Sequence, residues 1–269
     1  MKVFISADIE GINGIANWNE TDRDKPAEYA PFAKRMALEV AEVCKGINDF
    51  DGASEILVKD AHGGGRNIDH ELLPENVSMH RAFSGHPHMM MEMIDKGFNA
   101  SILVGYHSPG YSAGNPMAHT MTGAITKTVL NGQIASEFLI AYYTSLYYSV
   151  PMVMVAGDAR LMEIVKAADP DIVTVETVRG LGSGVLSVHP AKTRALLREN
   201  AKKAVEKADG LKGKCAAKLP KSFEAEIRFR EHSRANIASN YPGAKQKDAH
   251  TITYSCTDYF EFLRFYRFI

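Results

Sequence analysis

A small set of acidic and imidazole side chains, drawn from distant stretches of the chain, defines the chemistry this sequence can do. Asp8-Ile9-Glu10-Gly11 places two carboxylates two residues apart. In extended backbone, residues i and i+2 project to the same side, so Asp8 and Glu10 stand together while Ile9 faces the core. Neighbouring carboxylates repel, and at neutral pH the pair is costly unless a cation lies between them. Imidazoles follow in Lys59-Asp60-Ala61-His62-Gly63-Gly64-Gly65 and in Gly105-Tyr106-His107. His119 lies in Pro116-Met117-Ala118-His119-Thr120, and Glu137 comes shortly after an Asn131-Gly132 turn. Oxygen and imidazole donors without a thiolate suit Zn²⁺, Mn²⁺ or Co²⁺, and fit catalytic better than structural use.

Each piece has an ordinary alternative. Asp-x-Glu also suits a solvated strand terminus, a lone histidine after a strand is often a hydrogen-bonded structural residue, and Glu137 also favours a helix N-terminus electrostatically. The recurrence of these residues at the ends of successive strands is what raises a shared metal site above the separate readings. His86 and His88 form an i,i+2 pair broken by Pro87; His70, His80, His189, His232 and His250 lack acidic or imidazole neighbours at useful spacing. Gly63–Gly65 lacks the Lys-Ser/Thr of a phosphate loop, and 180–184 is not a dinucleotide fingerprint. No Gly-x-Ser-x-Gly elbow is present and Cys44 falls inside a helix, which removes serine and cysteine hydrolase readings.

The elements that must position these side chains alternate between short β runs and helical runs over the first two-thirds of the chain. Strands are expected over 3–7, 56–58, 77–83, 102–104, 150–156 and 172–178. Phe32, Met36, Val40, Val43 and Ile47 recur at helical spacing, and further helices are expected over 89–96, 137–148 and 161–168. The strands are continuous apolar runs, as when helices cover both faces of a sheet. The fold class is therefore α/β, a mostly parallel sheet flanked by helices, and open parallel sheets bind ligands outside the carboxyl ends of their strands. The last third differs: an amphipathic helix over 191–208, strictly alternating 223–229, a strand over 251–255, and Asp258 capping a final helix over 259–268. This predicts a catalytic α/β domain over 1–188 and a second, smaller α+β domain over 189–269.

The 269 residues carry 31 Lys+Arg against 32 Asp+Glu, a balance that does not point to nucleic acid as a partner. Three widely spaced cysteines form no disulfide framework or thiolate zinc site and fit a reducing compartment. No export signal follows Met1, and the most membrane-like stretch, 138–156, is interrupted by Thr144, Ser145, Ser149 and Pro151. A cytoplasmic protein without a membrane partner is expected.

Ser6-Ala7-Asp8-Ile9-Glu10-Gly11, Asp60-Ala61-His62-Gly63, Gly105-Tyr106-His107, His119-Thr120, Asn131-Gly132 with Glu137, and Val155-Ala156-Gly157-Asp158 together resemble the DppA-type D-aminopeptidase family in order and spacing. The likeness runs from residue 1 to about 185, and its most specific part is the Ser-x-Asp-x-Glu-Gly start. It implies a dinuclear zinc peptidase in which Asp8 bridges two Zn²⁺ per chain. Glu10 and His62 would complete one site, His107 and Glu137 the other, with His119 as the catalytic residue. It also implies a homo-oligomer, a decameric ring enclosing the active sites. The activity that follows is removal of N-terminal, D-configured residues from short peptide substrates by a metal-activated hydroxide. Formal charges agree: two divalent ions, three carboxylates and one hydroxide come close to neutral. Asp60 would orient His62 from behind or simply end its strand. The rival readings are a dinuclear amidase or phosphoesterase, for which Lys59 or Arg66 would have to face the site, and a non-catalytic dipeptide-binding protein linked to a transporter.

Overall fold

A computed structural model describes residues 1–269. In chain order, β1 (Lys2–Ala7) leads past a short 3-10 turn, Trp18–Glu20, to α1 (Pro26–Phe50), β2 (Glu55–Asp60), β3 (Val77–His80) and β4 (Ala100–Tyr106). A hairpin of β5 (Ile125–Leu130) and β6 (Gln133–Ile134) precedes α2 (Glu137–Tyr147), β7 (Met152–Asp158), α3 (Ala159–Ala168), β8 (Val173–Leu181) and β9 (Gly184–Leu186). The chain continues through α4 (Pro190–Val205), α5 (Ala208–Lys212), α6 (Cys215–Lys218) and β10 (Phe223–Phe229). It ends with α7 (His232–Ala238), β11 (Lys245–Gln246), β12 (Thr251–Cys256) and α8 (Tyr259–Phe268).

The main sheet has the order β3-β2-β1-β4-β7-β8-β9, parallel from β3 through β8, with β9 folding back antiparallel. Ile5 stands opposite Val58 on one side and Ile102 on the other. Alternation along the strands feeds two cores. Val3, Ile5, Ile102 and Val104 face the one shared with α1, where Met36, Val40, Val43 and Ile47 are buried, while Phe4, Leu103 and Val155 face the other. The expected helix face of α1 is thus the face used, except that Phe32 is only partly buried. On the opposite side lies α2, buried almost all round between the main sheet and a second layer. That layer is an antiparallel sheet, β11-β12-β10-β5-β6, packed with α8; the Tyr259 hydroxyl donates to the Ile140 carbonyl at 2.6 Å. The mostly parallel α/β class and the smaller antiparallel unit are both present.

Three expectations are corrected. The boundary at 188 does not follow the sheets, because the smaller sheet takes β5 and β6 from before it, pairing Ala225 with Leu130 and Ile227 with Thr128. Conversely α4, placed by the sequence in the small domain, packs along α1, and Arg198 forks onto Asp49 at 2.6 and 2.8 Å. An amphipathic stripe states that a helix has a buried face but not which neighbour buries it. The helix expected over 89–96 is instead two 3-10 turns, Met89–Met91 and Ile94–Lys96, separated by Met93 at φ +82°. Glu92, between the two turns, is turned inward to accept main-chain N–H groups of Ser84 and His86. Strand 77–83 is shorter, ending at His80.

Candidate metal centre

The strand order reverses direction at β1: the chain goes to β2 and β3 on one side, then crosses to β4 on the other. A crevice opens at the carboxyl ends on such a reversal. Asp8 and Glu10 follow β1, His62 follows β2, and His107 follows β4. The ends of β1 and β4 touch main chain to main chain. A Cβ on Gly105, whose φ is +73°, would lie 2.2 Å from the Asp8 carbonyl oxygen, and one on Gly11 would lie 1.9 Å from that of Tyr106. No side chain fits at either position, and this closeness is what brings two strand ends to one cluster. Glu137 arrives from another direction. The β5–β6 hairpin turns at Asn131 and Gly132, both at positive φ, and hands the chain to Ser136, whose side chain accepts the Leu139 N–H and starts α2.

The five expected ligand residues and His119 converge. His62 Nδ1 lies 3.3 Å from Asp8 Oδ1 and 3.1 Å from Glu10 Oε2. His107 Nε2 lies 3.6 Å from Asp8 Oδ2 and 3.3 Å from Glu137 Oε2. His119 Nε2 lies 3.6 Å from Glu137 Oε1 and 4.0 Å from Glu10 Oε1, and its ring stacks on His107 with centroids 4.4 Å apart. Each imidazole donates its outer N–H to a main-chain carbonyl: His62 Nε2 to Thr21 at 3.0 Å, His107 Nδ1 to Ser108 at 2.9 Å, His119 Nδ1 to Met117 at 3.0 Å. A carbonyl can only accept, so in the neutral rings the nitrogens facing the cluster carry lone pairs.

Asp8, Glu10, His107 and Glu137 are buried, and the electrostatics show the strain of that burial. Burial, reinforced by Glu10, holds the Asp8 carboxyl well above the usual range. Burial opposes ionisation of Glu10 as well, but His62 and the other imidazoles outweigh it and hold that carboxyl well below. Glu137, buried yet faced by His107 and His119, is drawn down to about 2. His62 and His107, disfavoured as cations by burial, are raised well above their ordinary value by the surrounding carboxylates. Without cations, protons have to do the neutralising.

The donor set fits divalent ions on an independent ground. Five buried side-chain polar atoms in the whole chain lack a hydrogen-bond partner, and Glu10 Oε2, His107 Nε2 and Glu137 Oε2 are three of them. Orphaned buried atoms are rare, and three converging ones mark a ligand. Two trios of possible donors share one residue: Asp8–Glu10–His62 and Asp8–His107–Glu137.

Comparison with known proteins identifies the family. A D-aminopeptidase family model matches residues 1–268. The chain belongs to the D-aminopeptidase family. It is 28% identical over 254 residues to the D-aminopeptidase of Bacillus subtilis (strain 168), covering 93% of this chain and 89% of that one. A solved structure described as the "Zn-dependent D-aminopeptidase DppA from Bacillus subtilis, a self-compartmentalizing protease" superposes with a TM-score of 0.89 at 25% identity, covering 99% of this chain and 95% of that one. As a D-aminopeptidase family member the chain is a metallopeptidase.

Other residues supporting the D-aminopeptidase site are less visible in sequence. Asp158 accepts from Ser108 N and Oγ at 2.5 and 2.6 Å and from Leu161 N at 2.8 Å, so it fixes the residue whose carbonyl orients His107. Asp60 does not touch the His62 ring. Its carboxylate accepts from Asn67 N, Asn67 Nδ2 and Ile68 N, and Asn67 in turn donates to the His62 carbonyl, so it shapes the loop while Thr21 orients the ring. Arg66 is exposed beside Gly64, and Lys59 is buried against Ala82 and Glu92; neither lines the cavity over the cluster. That removes the feature a phosphoesterase would need. His86 and His88 pair with each other, and His88 bonds Tyr148.

Proposed function

We propose that Asp8 bridges two zinc ions, with Glu10 and His62 completing one site and His107 and Glu137 the other. Asp8 carries the assignment, because its Oδ1 faces His62 and its Oδ2 faces His107, a different trio on each oxygen. Bound divalent ions supply Lewis acidity, which makes water a nucleophile near neutral pH and polarises a scissile carbonyl. An oxygen and imidazole set also accepts Mn²⁺ or Co²⁺.

His119 supplies the proton traffic. With Nδ1–H committed to Met117, its Nε2 lone pair faces the cluster and is positioned to take a proton from the attacking water. As the tetrahedral carbon collapses and the C–N bond breaks, the same Nε2–H protonates the departing amine. Trp18, Met90 and Met121 wall the cavity beside these groups and limit bulk water. The substrate is a short peptide with a free, D-configured N-terminal residue, cleaved by a homo-oligomer, a decamer in the cytoplasm. The self-compartmentalizing relative supports an enclosed assembly.

Elemental analysis of purified protein should give close to two transition-metal ions per chain. Asp8→Ala should lose both and Glu10→Ala mainly one; equal partial losses in the two variants would remove the bridge. A second reading has a specific observation behind it: Glu10, His107 and His119 also form a possible donor trio. His119→Ala decides between them, since a catalytic His119 leaves both ions bound and a ligand does not.

A further inference from the structure

The cavity over the cluster, about 220 Å³, has a polar floor and apolar sides made by Trp18, Ala61, Phe83, Met90 and Met121. Phe83 is held in an unusual way. Lys59, at the end of β2, has no exposed surface; its ammonium donates to the Ala82 carbonyl, lies 3.8 Å from the Phe83 ring centroid, and lies 3.8 Å from Glu92 Oε2. Glu92, also buried, accepts from Ser84 N at 3.1 Å, Ser84 Oγ at 3.0 Å and His86 N at 3.2 Å. Ala82 sits at φ +60°, a conformation rare for a residue with a Cβ. A buried ion pair and a strained residue thus tie down 82, 84 and 86, and the ring between them, 36% exposed, contributes to the lining of the cavity. Desolvating an ammonium and a carboxylate is expensive, and an ion pair is weak support for stability alone. What the arrangement secures is the position of one aromatic ring beside the reacting groups.

We infer that Phe83 is the wall against which the substrate's N-terminal side chain packs, and that Lys59 and Glu92 are positioning residues that hold it there. The sides of the cavity carry no charge, so the side chain they receive is apolar, and the ring limits its bulk. This rests on the aminopeptidase reading above.

The sole tryptophan, Trp18, lines the same cavity, so its fluorescence reports binding without turnover. Binding and hydrolysis of D-alanine, D-leucine and D-phenylalanine amides are to be compared in the metal-loaded protein. Phe83→Ala should improve D-phenylalanine amide relative to D-alanine amide at least tenfold, in Kd and in kcat/KM, with metal content unchanged. A ratio within twofold of wild type, or an equal loss on all three amides, would overturn the inference. Lys59→Met should move the ratio the same way through KM more than kcat, and should add nothing in the Phe83→Ala background; a further shift there would show that Lys59 does not act through the ring. Should Lys59→Met not fold, Glu92→Gln, of the same shape without the charge, is read by the same criterion. A wild-type protein that binds the amides but hydrolyses none would end the aminopeptidase reading, while the binding ratio would still judge Phe83.

Discussion

A main-chain carbonyl behind each imidazole decides which nitrogen meets the cleft, and that makes the peptide backbone part of the site. Asp8, Glu10, His62 and His107 were legible as a group because they follow the ends of β1, β2 and β4, whereas His119 in its loop and Glu137 at the start of α2 were tied to them by the family resemblance. The carbonyls of Thr21, Ser108 and Met117 have no signature of their own, so the orienting layer was not legible. Asp158 belongs to that layer too, since it reaches His107 only through Ser108. Asp158→Ala leaves two N–H groups and a hydroxyl without their acceptor and should cost about 2–4 kcal/mol in denaturant unfolding. It should also weaken metal retention at His107 more than at His62, seen as loss of about one ion per chain on mild chelation. His119→Ala should lower kcat roughly 10²–10⁴-fold, the ordinary reach of a positioned acid–base group, with no change in fold by circular dichroism.

At the level of elements, α1 contains a buried acid that plays no part in the cluster. Glu39 Oε1 accepts from Asn13 N at 3.2 Å and Oε2 has no partner. Burial pushes this carboxyl up from 4.5 to about 8. Between those values the folded chain holds a proton that the unfolded chain has released, so stability falls as pH rises through that window and levels off above it. Urea unfolding of the wild type should therefore weaken from pH 5 to pH 8 by a few kcal/mol at most, and Glu39→Gln should flatten the slope. The parallel strands were readable as unbroken apolar runs because helices cover both their faces, and α8 because Asp258 caps it; the Asp158 cap of α3 emerges only in the structure. β5 was not. Ile125-Thr126-Lys127-Thr128-Val129-Leu130 follows a Gly/Ser/Pro-rich loop, and the Asn131-Gly132 turn was read without the hairpin it closes. Residues 89–96 have helical composition, but the structure breaks them at Met93, beside Glu92, whose carboxylate is bonded to Ser84 and His86 of the preceding loop.

For the whole molecule, three carboxylates buried together would make the proposed metal ions part of the stability as well as the chemistry. Removing them with a chelator should lower the thermal midpoint on the order of 5 °C or more, reversibly on adding zinc. No helix is long and apolar enough to cross a membrane. Light scattering on the purified protein should give a particle roughly ten times the 29.6 kDa of one chain, and a monomer would remove the decamer. The pairing of β5 with β10 reaches across almost a hundred residues of intervening chain. On the ribosome, the hairpin that leads to Glu137 therefore waits for a partner strand made long afterwards, and α1 waits for α4. A nascent polypeptide halted near residue 188 would carry every residue that lines the cleft but would leave β5 without its β10 partner. The strand that braces the approach to Glu137 is thus supplied only after about four-fifths of the chain has been made.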